Sequence, residues 1–237
     1  MTLYLSRLTL RNDPQSRALS SLIDPPERAH SQGRGQILDA HHRLVWSAFA
    51  DGPDRIRDFL WRSEGQGRFM TLSKRKPLES PLFETPEILP FEPALSEGDN
   101  LGFALRVNAT KDRSRVEGGN RRVDVVMDAL HNLPGREDIN RPRAAARLEL
   151  ATEAGTEWMT RQGKVHGFEP LETTVEDYRV MALPGHRGRR KGQPQFGILD
   201  ITGVLKVTDP TRFVSRLGEG FGRAKAFGCG LMLIRRV

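Results

Sequence analysis

Two adjacent histidines, His41 and His42, lie in the segment ILDAHHRLVWSAF at 37–49. An imidazole titrates near neutrality, so either one can carry a proton in general acid–base chemistry. The spacing of Ile37, Leu38, Leu44, Val45, Ala48 and Phe49 predicts an amphipathic helix. Consecutive side chains on a helix point about 100° apart. His41 then falls in the middle of the apolar face, the place of a core or interface histidine. His42 falls on its edge, held by packing on one side and open to a ligand on the other. Asp39, three residues earlier, is placed to cap the helix, with His42 at N3. A helix N-terminus disfavours imidazolium, so His42 in that position is a neutral base.

A second candidate is the segment GEGFGRAKAFGCG at 218–230, with five glycines in thirteen positions. Glycines let a backbone approach a partner closely and expose its N–H groups. Arg223 and Lys225 add positive charge, and the guest such a segment suits is a phosphate chain. It is neither a P-loop, since GxxxxGK[ST] is absent, nor a Rossmann fingerprint, since a strand follows it. The plain alternative is a tight joint between a helix and a strand. No metal-binding pattern is present: there is one cysteine, Cys229, and His30, His131, His166 and His186 are scattered singly. No metal and no cofactor are expected.

The elements that must position these groups alternate. A strand is read at 3–10, a long polar loop at 11–36, the histidine helix at 37–49, and a hairpin at 57–62 and 68–73 around Glu64-Gly65-Gln66-Gly67. The Pro-rich stretch 77–98 reads as a linker. A strand at 101–108, a basic loop, helices at 123–133 and 143–162, strands at 171–183 and 195–207, a helix at 210–217 and a last apolar strand complete the chain. Each half runs strand, helix, hairpin, strand, which is the split-βαβ order. The expected fold is therefore α+β, two tandem ferredoxin-like domains at 1–95 and 96–237.

The chain has 237 residues, with 37 Lys and Arg against 30 Asp and Glu, a formal charge of +7. The basic residues cluster beyond residue 100. One cluster holds Arg106, Lys111, Arg113, Arg115, Arg121 and Arg122; another holds Arg187, Arg189, Arg190 and Lys191; the third includes Arg216, Arg223, Lys225, Arg235 and Arg236. Such a face suits a polyanion, and the Arg187–Lys191 run at a hairpin tip is the best placed to enter a nucleic-acid groove. The single cysteine fits a reducing cytoplasm. No apolar run approaches the ~18 residues of a membrane span, and the arginines at 7 and 11 interrupt any signal-peptide core.

The closing GEGFGRAKAFGCGLMLI resembles the C-terminal motif of the CasE family, G-x-G-x-x-K-x-x-G-x-G-L-L. That family comprises the CRISPR precursor-RNA endoribonucleases of type I-E Cascade. The opening MTLYLSRLTL is similar to the family's first strand. His42-Arg43-Leu44-Val45-Trp46 with the following Phe49 and Pro53 to Leu60 resembles its first helix and next strand, and Phe103 to Asn108 its F-x-L-R-x-N strand. The resemblance implies metal-free cleavage of the CRISPR repeat RNA at the base of its hairpin. It also implies retention of the mature crRNA 3′ hairpin and partnership with other Cascade subunits. It places the catalytic histidine at His42. Where the family often has Tyr, this chain has Asp39, which either orients His42 or leaves that role to another group. Lys225, with Arg223 and the backbone at Gly220, Gly222 and Gly228, is expected to stabilise the phosphorane. Arg106 and Asn108 join the basic clusters as RNA contacts. Two alternatives remain open: a non-catalytic RNA-hairpin-binding subunit of the same fold, and a DNA-binding or ribosome-associated module.

Overall fold

The computed structural model describes residues 2–23, 34–52, 54–114, 119–132, 143–183 and 194–237. The first half contains strand β1 (Leu3–Thr9), helix α1 (Pro14–Ile23), helix α2 (Arg34–Ser47) and strands β2 (Phe59–Gly65), β3 (Arg68–Ser73) and β4 (Glu87–Phe91). Their sheet has the order β2-β3-β1-β4, with β1 antiparallel to both β3 and β4. Alternation along the strands separates its faces. Leu8, Phe59, Trp61 and Phe69 pack under α2, whose Leu44, Val45, Ala48 and Phe49 are buried against them. Leu3, Leu5, Leu60 and Leu72 point the other way.

The second half repeats the pattern. Strands β5 (Asn100–Val107), β8 (Phe168–Ala182), β9 (Gln195–Val207) and β10 (Met232–Arg236) form a sheet of order β10-β5-β9-β8. Between β5 and β8 lie the hairpin β6 (Thr110–Ser114) and β7 (Asn120–Asp124) and helices α3 (Val125–His131) and α4 (Arg143–His166). Helix α5 (Pro210–Glu219) and a 3-10 turn (Lys225–Phe227) precede β10. Both sheets have the ferredoxin-like order, so the fold is the expected α+β tandem. The larger core lies between the second sheet and α3, α4 and α5, around Trp158, Met159, Phe168, Phe213 and Phe221. The outer face of the first sheet meets the second half through Leu231 and Leu233, and Arg62 reaches across to the carbonyl of Ala104 at 3.3 Å.

Three expectations are corrected. The polar stretch 11–36 is not all loop: α1 starts at Pro14, and Asp13 caps it, accepting from the Ser16 N–H at 2.9 Å and hydroxyl at 2.7 Å. Proline at the first helical position costs no hydrogen bond. The stretch 77–98 is not only a linker, because Glu87–Phe91 adds β4 to the edge of the first sheet, where Pro90 is tolerated. The basic loop after β5 is partly the β6–β7 hairpin, with Arg122 bidentate on Asp112 across it. The β2–β3 turn does form on EGQG, with Gly65, Gln66 and Gly67 all at positive φ. Among the described residues no helix is long and apolar enough to cross a membrane.

Candidate active site

Helix α2 begins at Arg34, so Asp39 lies in its second turn and does not cap it. His42 is consequently mid-helix, and the helix terminus does not set its protonation. Its aromatic surroundings do. The ring lies nearly parallel to Trp61 at 6.4 Å (13° between planes), with Trp46 at 5.8 Å and Phe59 at 6.2 Å. Among the described residues, Nε2 is buried and has no hydrogen-bond partner. Burial, then the charge of Arg57, pushes the His42 pKa below its ordinary value, with Arg43 adding to this and Asp39 opposing. The imidazole is therefore held toward its neutral form by its surroundings rather than by a helix terminus. Asp39 makes an ion pair with Arg43, one turn on. His41 packs edge-on against Phe69 at 5.2 Å and Trp61 at 6.4 Å, under the sheet as the helical spacing predicts.

The glycine-rich segment runs beside this helix. The 3-10 turn contacts both α2 and β2. Phe227 stacks on Phe196 at 5.1 Å, and Ala224, Cys229 and Leu38 of α2 belong to one cluster with Met181 and Ile198. Lys225 is half-buried, and its Nζ donates to the Glu219 carbonyl at 2.6 Å. Burial, then the charges of Arg216 and Arg57, lowers its pKa, against Glu219. The glycines serve the protein's own backbone. A Cβ at Gly228 would stand 3.2 Å from the Trp61 ring, and one at Gly220 would stand 2.6 Å from a Leu60 methyl. At Gly222 it would meet Val107 Cγ2 at 2.5 Å and the Asn108 carbonyl oxygen at 2.6 Å. The Arg223 N–H donates to that same carbonyl at 3.2 Å, and the Gly230 N–H donates to the Arg106 carbonyl at 2.7 Å. The tight joint, rather than a cradle for a guest, is what these glycines build.

Several of the basic residues are already held. Arg106 is bidentate on Asp200 at 2.7 and 3.1 Å, and Arg179 shares that carboxylate. Lys111 and Arg113 both pair with the buried Asp128, at 2.8 and 3.1 Å. The Asn108 amide donates to the Gly197 carbonyl at 2.7 Å and is buried. Arg121 and Arg223 are exposed and, among the described residues, pair with no carboxylate. Arg115, Arg187, Arg189, Arg190 and Lys191 lie outside the described residues.

Two further residues of the site carry no clear signal in the sequence. Trp61, fully buried under His42, is the platform for its ring. Arg57, just before β2, acts electrostatically on both His42 and Lys225. A tryptophan in an alternating apolar strand signals core, and one arginine among several signals nothing. Among the described residues no group of three His, Cys, Asp or Glu comes together.

The fold defines the class of α+β proteins built from two tandem ferredoxin-like units, here with an imidazole on a helix packed against a cationic turn. Comparison with known proteins narrows it. The family model described as "CRISPR associated protein" matches residues 3–236. The CRISPR system Cascade subunit CasE of Escherichia coli K12 is 25% identical over 197 residues, covering 81% of this chain and 88% of that protein. Two solved structures share the fold. Thermus thermophilus Cse3, bound to an RNA representing a pre-cleavage complex, has a TM-score of 0.64 at 21% identity, over 99% of this chain and 100% of that one. Cas6e from E. coli K-12 has a TM-score of 0.58 at 19% identity, with 99% and 100% covered. The chain belongs to the CRISPR-associated CasE family.

Proposed function

We propose that this protein is a metal-independent endoribonuclease that cuts CRISPR repeat RNA at the base of its hairpin. The observation that carries this reading is the His42 imidazole, held neutral by burial and the charge of Arg57, on a helix packed against the turn that carries Lys225 in a chain of this family. His42 removes the proton of the RNA 2′-OH. The 2′-oxygen attacks the adjacent phosphorus, the bond from phosphorus to O5′ breaks, and O5′ takes a proton from solvent. The products are a 2′,3′-cyclic phosphate and a 5′-OH. Such a proton transfer contributes about 10²–10⁴ in rate. Lys225 keeps N–H groups beyond the one given to Glu219, and these neutralise the phosphorane.

Arg121 and Arg223 supply phosphate contacts, joined by Arg187, Arg189, Arg190 and Lys191. The product hairpin stays bound, and the protein serves as a Cascade subunit, as its E. coli relative is named. The two units divide near residue 95, supported by the irregular stretch 92–99 between β4 and β5.

Incubation with repeat RNA in EDTA tests the reaction. Full cleavage in EDTA is expected, and a single 2′-deoxy substitution upstream of the cut should abolish cleavage while binding persists. A strict Mg²⁺ requirement, or cleavage of the deoxy substrate, would point to metal-activated water and remove His42 from its role. Binding without any cut would leave an RNA-hairpin-binding subunit.

A further inference from the structure

Hairpin β6–β7 stands outside both four-stranded sheets as a ribbon of two strands. A two-stranded ribbon is marginal on its own, and the one apolar side chain of this one is Val123. The rest of the molecule ties it down along β6. The Trp158 indole donates to the Thr110 carbonyl at 3.3 Å. Lys111 and Arg113 reach the two oxygens of the buried Asp128 on α3, at 2.8 and 3.1 Å, and Arg113 Nη2 donates to Asn132 at 3.0 Å.

The register gives the hairpin two unlike faces. On one, Arg122 stands opposite Asp112 and is matched by it. On the other, Arg121 stands directly opposite Arg113, their Cβ atoms about 4.5–5.5 Å apart. Like charges in that position destabilise a hairpin. Lys111, Arg113 and Arg121 share this face, and among the described residues Asp128 is the one carboxylate that pairs with any of them. Both of its oxygens are taken, so Arg121, which is exposed, is left unmatched. Arg113 keeps a donor to spare. Its side chain is 47% exposed, and its Nε makes no hydrogen bond among the described residues.

We propose that Arg113 and Arg121 hold one backbone phosphate of the repeat RNA between them. The choice of ligand rests on the endoribonuclease reading above. An anion between the two guanidinium groups turns their repulsion into two attractions, and planar guanidinium forks suit a phosphate. Asp128 and Asn132 fix Arg113 in place, so one half of the site is ordered before RNA arrives. The hairpin also adjoins the glycine-rich segment. Asn108, two residues before β6, forms a bridge with Arg223, whose N–H donates to the Asn108 carbonyl at 3.2 Å.

The test sets folding against binding in wild type, Arg121→Gln and Arg121→Glu. Thermal midpoints are measured without RNA. Affinity for 2′-deoxy repeat RNA is measured from about 50 to 200 mM salt. Arg121→Gln removes the repulsion, so its midpoint should equal or exceed that of wild type while its affinity falls severalfold. Arg121→Glu sets an opposite charge across from Arg113. Its midpoint should rise by about 1–3 °C, and its affinity should fall at least about tenfold. Its slope of log affinity on log salt should shrink by about 0.7–0.9, for one lost phosphate contact. Unchanged affinity and slope would mark Arg121 as merely solvated and overturn the proposal. Stability lost together with affinity would also overturn it, since Arg121 would then be holding the fold. If Arg121→Glu does not fold, Arg121→Gln decides by the same readings. Each titration is repeated on the isolated hairpin: weakening on both RNAs sustains a stem phosphate, and weakening on the whole repeat alone sustains a flanking one. If wild type binds RNA without cutting it, the endoribonuclease reading fails, while the same binding curves still decide this site.

Discussion

Gly222→Ala separates two roles for the glycine-rich segment: room for the protein's own backbone, or room for an RNA phosphate. Gly222 has φ +63, a conformation that costs alanine about 1 kcal/mol or more. Its added Cβ would stand 2.5 Å from Val107 Cγ2, where carbon atoms prefer about 3.5–4.0 Å. Neither neighbour can yield cheaply. Val107 is fully buried and stiff at χ1, and the second contact, at 2.6 Å, is the backbone carbonyl of Asn108. Overpacking of this kind costs about 1–3 kcal/mol, so the total is about 2–4 kcal/mol. With a urea slope of about 3 kcal/mol per molar, the unfolding midpoint should fall by roughly 1 M. Below the transition, affinity for a 2′-deoxy repeat RNA should stay within a few-fold of wild type. A variant as stable as wild type that has lost RNA affinity would refute the reasoning, because the glycine would then be facing the ligand.

His42→Ala should lose cleavage by at least about 10² with RNA affinity within a few-fold, whereas His41→Ala, which strips a ring from between Phe69 and Trp61, should lower thermal stability and spare the chemistry. Equal loss of cleavage from both, with folding intact, would reverse the assignment. Asp39→Asn should change the cleavage rate less than threefold, since the carboxylate makes an exposed ion pair with Arg43 of the kind that contributes about 0.3–0.5 kcal/mol; a tenfold loss would restore Asp39 as the group that orients His42.

Elements with strong periodicity are legible in the sequence: β1, the histidine helix, the β2–β3 hairpin, β9 and β10. Those decided by tertiary contacts are not. Helix α1 is polar, and only its Asp13 cap and Pro14 betray it. β4 exists because β1 offers an open edge to Glu87–Phe91, and no local pattern encodes that pairing. β6 and β7 are charged strands held by cross-strand pairs such as Arg122 with Asp112, so composition reads them as loop. Within the site, His42 follows from helical spacing. The cap expected of Asp39 fails because the helix begins five residues earlier, at Arg34. The basic residues look alike in sequence, and only pairing distinguishes Arg106, matched by Asp200, from Arg57, whose Nη1 has no hydrogen-bond partner among the described residues.

The site joins α2 to a turn that lies just before the closing strand of the second sheet, and this sets a timetable for biosynthesis. Residue 225 is translated 183 codons after residue 42. At about 5–20 residues per second, roughly 10–40 s separate the two. A nascent chain with a finished first sheet carries its histidine for all of that interval without the lysine assigned to the proposed site. The turn that carries Lys225 packs on α2 only when β10 has added to β5 and Gly228 lies against Trp61. On the function proposed above, a chain still lacking β10 has the histidine helix without the turn that packs on it.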